Sequence, residues 1–516
     1  MRKLFALYTN EMIKISKRVS IIVILAVMIA LIFAFGGLMK YSESMNSESN
    51  INYSLENQKE NMNNQLQDAK SVVADLEKKK ASATGDELLQ LESELLSNKN
   101  QVDMLQYAID KNIYTNSNSY RSIVVRELFA FKATVSQLSK FPTTNLIADQ
   151  KKQLEEAQTN ISTLEKIIEN NDFKAYIDYS NNKINNNTSF SDEEKKIYLE
   201  SNELRLKYNL TGEVEGKAFV QGNAEQYIYK IQNGKISLLK DLDYTGNFGD
   251  VKPLTAERRQ DIENDIAVAE YKFEKDIVNN SSTEALGTDM KSLAISSMLG
   301  IGIFMVVILV MILAGGSISS EMSTGSIKSL IISPTKRWKI FVAKFLSLLT
   351  IGIITTLIAY IFSIIANGIF FGFNSGANYI YASGGVAHEL NFYIYQLARM
   401  ATDFVPVIVF MTFAFMLSIL TRNTAVSVAT SIGIYFVGST ANSIIMQVTK
   451  GEWRRFIPFN NLNITTKIFP NDSISEITNS ATAVSNSATF QIIYMIVLVI
   501  CMGYIGLDSF NRRDIK

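Results

Sequence analysis

Cysteine and histidine are almost missing from this sequence: each occurs once, as Cys501 and His388. One cysteine makes no intrachain disulfide and no thiolate metal cluster. One histidine cannot build the usual multi-histidine metal site. Thiol and imidazole catalysis are therefore poor expectations, and no metal or cofactor is implied. Cys501, inside an apolar block, reads as a buried apolar residue, and His388 as a loop residue. Net charge is missing too, with 50 Lys and Arg against 50 Asp and Glu. That balance by itself says nothing about partners, because the two halves of the chain differ in charge; no nucleic-acid partner is expected. No Gly-x-x-x-x-Gly-Lys-Ser/Thr occurs anywhere, so the chain has no phosphate-cradling loop of that kind.

What is present is segregated. Acidic residues crowd between Glu43 and Asp289, and long charge-free apolar blocks lie near the start and in the last part of the 516-residue chain. A helix needs about 20 mostly apolar residues to cross the hydrocarbon core. Six blocks qualify: Val19–Met39, Leu293–Ser317, Phe341–Phe371, Phe404–Leu420, Ala425–Val448 and Phe490–Leu507. A signal peptide is the competing reading of the first. The apolar run is too long for one, and the polar, bulky Met39-Lys40-Tyr41-Ser42-Glu43 offers no small-residue cleavage site. The expected fold is an all-α integral membrane protein with six transmembrane helices, and the chain is expected at a multi-pass position in the cell membrane.

Short flanking loops orient such a bundle, because Lys and Arg accumulate on the cytoplasmic side. Residues 1–18, the loop 317–344, Arg422 and the tail together hold fourteen, against five in the opposite short loops (Arg399, Lys450, Arg454, Arg455 and Lys467). Both termini are expected in the cytoplasm, with residues 40–290 outside. Arg399 and Asp403 stand at the outer edge of the fourth span; ionisable groups at membrane depth are usually functional, and so near the boundary simple solvation is the other reading.

Residues 40–290 read as helical hairpins of a coiled-coil domain. Met62, Leu66, Ala69, Val73 and Leu76 alternate by four and three, and Leu88, Leu91, Leu95, Val102, Leu105 and Ile109 resume the seam after a turn at Ala81–Gly85. Ile147, Leu154, Ala157, Ile161, Leu164 and Ile168 repeat it. Ser191 with Glu194 forms a capping box. The Asn-rich stretch Asn181–Ser189 reads as a loop. Asn233-Gly234 between Tyr227–Gln232 and Lys235–Leu239 predicts a small β-hairpin with a type I′ turn. A helix from Thr255 to Val278 leads back to the second span. The seams serve either packing of the domain itself or an extracytoplasmic protein partner.

Two further stretches carry function. Residues 1–18 are amphipathic, with Leu4, Phe5, Tyr8, Met12 and Ile15 on one face and Lys3, Lys14 and Lys17 off it, as in a helix lying in the bilayer interface. Between the second and third spans, residues 326–333 make a short amphipathic piece that Pro334 ends, since proline disfavours helix before it. A stiff segment held by two spans can pass movement of a docked protein to them. On the fifth span, Ser427, Ser431, Tyr435 and Gly438 share one face, suited to close helix packing or to lining a substrate path. Trp453, Phe456, Pro458 and Phe459, mixed with Arg454 and Arg455, suit an interfacial or re-entrant element.

The loop from Gly315 to Lys344, with Glu321, Gly325, an apolar run from Ile327 to Ile332, Pro334, Arg337 and Lys344, resembles the cytoplasmic loop of type-2 ABC transporter permeases. Asn10-Glu11-Met12-Ile13-Lys14 with Lys17-Arg18 resembles that family's interfacial helix. The resemblance implies a permease subunit of an exporter, a separate ABC ATPase subunit, and a second permease copy in a homodimer or heterodimer. It implies that Glu321, Gly325, Ile327, Leu330, Ile331, Pro334, Arg337 and Lys344 couple to the ATPase, and that Leu4, Phe5, Tyr8, Glu11, Met12 and Lys14 form the helix flanking its docking site. The same order of one span, an outer domain and five spans also resembles the Pip/YhgE and EsaA-like proteins, which implies instead a non-transporting surface scaffold, receptor or secretion-accessory protein. A mechanical transmitter that moves no solute is a third possibility. Carboxylate pairs such as Glu155 with Glu156 and Glu193 with Glu194 lie on charged helix faces, where solvation is the expected role, so an enzyme is the weakest reading.

Overall fold

The computed structural model describes residues 2–46, 49–114, 119–140, 147–212, 220–244, 252–279, 290–325, 335–373, 378–449, 451–469 and 486–512. Helices α1 (Arg2–Ser16) and α2 (Val19–Asn46) open the chain. They are followed by α3 (Ser49–Lys80), α4 (Asp86–Asp110), α5 (Tyr120–Leu138), α6 (Ala148–Asn170), α7 (Phe173–Asn185), α8 (Asp192–Lys207) and α9 (Val220–Lys240). Strands β1 (Leu242–Asp243) and β2 (Lys252–Pro253) pair antiparallel before α10 (Ala256–Glu274). Then come α11 (Met290–Ser317), α12 (Ser319–Ser323), α13 (Arg337–Phe371), the paired strands β3 (Tyr379–Ser383) and β4 (Val386–Leu390), α14 (Phe392–Asp403), α15 (Val405–Thr421), α16 (Thr424–Val448), α17 (Thr465–Ile468) and α18 (Ala488–Arg512). Contacts group the chain into two units, one of residues 1–43, 288–383 and 387–516, the other of 44–287 and 384–386.

Among the described residues of the first unit, six helical stretches are long and apolar enough to cross a membrane: Val19–Ser42, Lys291–Ser323, Arg337–Phe371, Phe392–Thr421, Thr424–Val448 and Ala488–Arg512. Each contains one of the apolar blocks read from the sequence. Helix α11 is the centre, packed on α13, α15 and α16, with Val306, Val307, Val310, Met311 and Ala314 fully buried. Small residues let the helices approach closely. A Cβ on Gly302 would stand 2.8 Å from Ala359 of α13, and one on Gly315 2.7 Å from Val428 of α16.

Between α16 and α18 the backbone runs through two 3₁₀ turns, Glu452–Phe456 and Pro458–Asn461. Short turns leave carbonyls unbonded, and an apolar setting makes that costly. Side chains take them up: Asn460 Nδ2 donates to Arg454 O at 2.7 Å, Asn461 Nδ2 to Arg455 O at 2.8 Å, and the Tyr494 hydroxyl to Phe456 O at 2.7 Å. Arg399 is buried and bonds Asp403 at 3.4 Å, and the Thr465 hydroxyl donates to Asp403. Arg399 is thus no solvated boundary residue. The amphipathic α14 turns it inward, which the apolar-block count alone could not register. Cys501 is exposed on the outside of α18 rather than buried, because that helix packs by its opposite side.

In the second unit, α3 and α4 pair along the expected seam. Met62, Leu66, Ala69, Leu76, Leu95 and Leu105 are buried, and Lys99–Glu77 (2.7 Å) and Lys80–Glu92 (2.8 Å) bridge the flanks. Helices α5 and α6 pack through Val124, Val125, Leu128, Leu164, Ile167 and Ile168. Ile147 departs from the seam. It is the exposed residue before α6, and its backbone N–H donates to Gln150 Oε1 at 3.1 Å. Thr255 caps α10, and Ser191 with Glu194 closes the expected capping box on α8.

Three local expectations are overturned. The stretch 227–239 is helix α9, not a hairpin. Ala224, Ile228 and Ile231 recur at helical spacing and bury against Ala269 and Phe273 of α10, which outweighs the Asn-Gly turn signal. Gly234 is there for closeness, since a Cβ would stand 2.9 Å from Ile266. Asn181–Asn185 belongs to α7, because Asn202 Nδ2 reaches Asn181 Oδ1 at 2.8 Å and Ser180 Oγ at 3.1 Å. His388 lies on β4 beside the Tyr381 ring rather than in a loop. That hairpin turns at Gly384 and Gly385, both with positive φ (60° and 76°), as a type I′ turn requires. Glu194 also departs from a solvated role. It is buried and paired with Lys240.

The Lys240 ammonium, then the Ser191 amide, hold the Glu194 carboxyl below the usual carboxylate range. Its stabilisation is therefore present above about pH 4.3, the unfolded carboxyl value, and is lost as pH falls through the lower folded value. Glu194→Gln should lower stability by about 1 kcal/mol at pH 7. The gap in thermal midpoint between variant and parent should narrow as the pH falls through the folded carboxyl value; a gap that stays constant into the acid range would show that charge is not its source. Gly234→Leu should destabilise the second unit by about 1–3 kcal/mol through overpacking against Ile266, read as a lower thermal midpoint.

Candidate functional site

The first unit gathers charge at one place. Helix α1 runs antiparallel along the start of α13, with the Tyr8 hydroxyl donating to Thr350 Oγ1 at 3.0 Å. One turn further along α1, Glu11 faces Lys344 of α13. The Lys344 ammonium, 1% exposed, lies 2.9 Å from Glu11 Oε1 and 2.9 Å from Glu321 Oε1 of α12. Lys14, whose side chain is 47% exposed, reaches Glu321 from the solvent side. Two carboxylates and two ammonium groups so balance across three helices.

The path of the chain aims Glu321 inward. Helix α11 breaks at Ile318, and Ser418 of α15 accepts hydrogen bonds from the Ile318 and Ser319 amides at 3.2 and 2.9 Å. These satisfy two donors at the start of α12 that have no helical partner. The Ser319 hydroxyl donates to Gly315 O at 2.6 Å and shares a 2.9 Å hydrogen bond with Thr424 of α16. The bend is thus tied to α11, α15 and α16 before α12 presents Glu321. Gly325 ends α12 with φ +71°, a left-handed conformation that glycine adopts at little cost.

A buried ammonium is tolerable only when paired and hydrogen-bonded. Lys344 has both partners. Removing one member of such a cluster leaves an uncompensated charge, whereas apolar replacement of the whole set need not destabilise. The arrangement therefore acts as a latch: movement of α12 relative to α1 or α13 must break charge pairs or carry the other helices along.

Of the residues singled out from the sequence, Glu11, Lys14, Glu321 and Lys344 come together. Arg337 lies apart and donates to Asn511 O of α18 at 3.1 Å. Ile327, Leu330, Ile331 and Pro334 fall outside the described residues. On α1, Leu4, Tyr8 and Met12 are half-buried and Ile15 is buried, but Phe5 is 71% exposed. The inward stripe is rotated to include Glu11, because that carboxylate pairs with Lys344. Ser427 and Ser431 are buried, with Ser427 Oγ donating to Gly315 O at 2.6 Å. The Tyr435 ring lies 4.8 Å from that of Phe410, and a Cβ on Gly438 would meet the Phe459 ring. Sequence reading missed Ser418 and Thr350, for which a hydroxyl inside an apolar run was the only signal.

Six helices long and apolar enough to cross a membrane, packed around a mainly apolar core among the described residues, define a multi-pass membrane protein. The sequence profile of the family described as ABC-2 family transporter protein matches residues 5–515. The chain belongs to the ABC-2 transporter family. It is 29% identical over 208 residues to "Uncharacterized protein YhcI" of Bacillus subtilis, covering 40% of this chain and 63% of that one. It is 24% identical over 210 residues to "Uncharacterized membrane protein YdbK" of the same organism, covering 40% of this chain and 77% of that one. The chain thus spans under two thirds of the length of the first of these relatives.

Lys344→Met should destabilise the chain by about 3–5 kcal/mol by taking from buried Glu11 its Lys344 partner and from Glu321 the inner of its two ammonium partners. The triple change E11Q/E321Q/K344M should recover most of that loss. Thermal unfolding in detergent measures both; equal losses in the two variants would mean that charge pairing is not what Lys344 contributes.

Proposed function

We propose that this chain is the permease subunit of an ABC exporter, driven by a separate ATPase and working as a pair of permease copies. Membership of the ABC-2 transporter family across residues 5–515 carries the reading. Both termini lie in the cytoplasm, in keeping with fourteen basic residues against five in the short loops. The ATPase docks against the segment from α12 to α13 and beside α1. A push on that segment reaches α11 and α13 through Glu321, and reaches α1 through Glu11 and Lys14. Gly325, Ile327, Leu330, Ile331, Pro334 and Arg337 form the contact with the motor, and residues 40–290 face the exterior.

The second copy covers α16. This is the least apolar of the six spans and the least covered by its own chain. Thr430, Gly433, Val437, Thr440, Ile444 and Gln447 form its exposed face. Hydroxyl and amide groups gain more from another helix than from lipid tails.

The test is association and coupling. In lipid nanodiscs the chain should bind an ATPase subunit and raise its turnover. Lys14→Gln, at a half-exposed position, should leave binding intact and cut that stimulation by about two- to thirty-fold, as coupling energies of about 0.5–2 kcal/mol imply. Failure of any ATPase subunit to associate would remove the permease reading.

A further inference from the structure

The second unit carries an open cleft of 490 Å³ between α8 and α10. Both helices pack on α9, which forms the floor, and they meet at one end, where the Tyr208 hydroxyl donates to Phe273 O at 2.6 Å. Elsewhere they diverge. Ile197 and Leu204 on α8, Ile231 on α9 and Phe273 on α10 give the cleft an apolar lining. The volume lies within the range of small-ligand and side-chain pockets, about 300–1,000 Å³.

Charge on the rim is one-sided. Glu200 and Glu203 line the α8 wall, and Glu270 and Glu274 the α10 wall. Lys235 on the floor joins Glu200 at 3.3 Å to Glu270 at 2.9 Å, so that pair is neutralised in part from within. Lys207 leans over the Tyr208 ring, 5.0 Å from its centre. Glu203 and Glu274, on opposite walls, have no ion pair or hydrogen bond among the described residues. The apolar lining of Ile197, Leu204, Ile231 and Phe273 between two uncommitted carboxylates is complementary to a molecule that is apolar in the middle and positive at its ends.

We propose that this cleft binds a basic amphipathic peptide, with one or two aliphatic or aromatic side chains seated on Ile231, Leu204 and Phe273. Lysine or arginine side chains flanking them meet Glu203 and Glu274. Charge complementarity sets the choice of partner: an acidic or uncharged peptide leaves both carboxylates unpaired. The site uses nothing of the charge latch, and it stands whether or not an ATPase drives the protein.

The test uses the full chain in phosphatidylcholine nanodiscs, with empty nanodiscs subtracted. The probe is a fluorescent heptapeptide, Lys-Leu-Leu-Lys-Leu-Leu-Lys, with its all-glutamate counterpart as control. Fluorescence anisotropy should show saturable binding of the basic probe only. The exposed-site variant E203Q/E274Q should weaken it by about five- to tenfold, the value of two partly screened ion pairs. Leu204→Lys should abolish it. Equal binding by E203Q/E274Q, equal binding of the acidic probe, or no binding above empty nanodiscs would each overturn the assignment. None of those outcomes bears on ATPase association, so the two readings fail separately.

Discussion

An ammonium group sealed away from water must be neutralised where it stands, and the first unit is built around one such group. Lys344 is held between Glu11 and Glu321, which lie far apart in the sequence: one from the first helix, one from the break after the second span. Desolvating those charges costs several kcal/mol per ion. Only a geometry that keeps all of them paired is tolerable, so the relative position of α1, α12 and α13 is narrowly defined. Apolar packing and the close approach of small residues hold membrane helices together. A charge cluster, by contrast, has discrete paired and unpaired arrangements.

The same economy of polar groups recurs elsewhere in the unit. Ser418 anchors the bend before α12 by accepting from two amides. Asn460 and Asn461 bind the carbonyls of a non-helical segment. Each polar side chain sits where the backbone departs from regular helix, because in an apolar setting those departures are the points that lack partners. The apolar residues between them set thickness and contact area; the polar ones set direction.

Much of this was legible in the chain. Runs of about 20 apolar residues are long enough to be read individually, so six spans followed from the sequence. The seams of α3, α4 and α6 and the Ser191–Glu194 box were equally local signals. Failures came where a local signal competed with packing. Asn233-Gly234 looks like a turn, yet the neighbouring Ile228 and Ile231 bury against α10 and hold the segment helical. Asn181–Asn185 looks like a loop until Asn202 supplies amide partners. Arg399 and Glu194 look solvated until their neighbours close over them.

Sequence by itself determined the number of spans and the division between apolar and charged parts, since each is carried by composition over many consecutive residues, and the loop motif from Glu321 to Lys344 carried the resemblance to the family. It also marked Glu11, Lys14, Glu321 and Lys344 one at a time. That they form one cluster was decided only by tertiary structure. Their separations of up to 333 positions mean that no periodicity or spacing relates them. Only the antiparallel docking of α1 on α13 and the Ser418-held bend bring their charges within a hydrogen bond of one another.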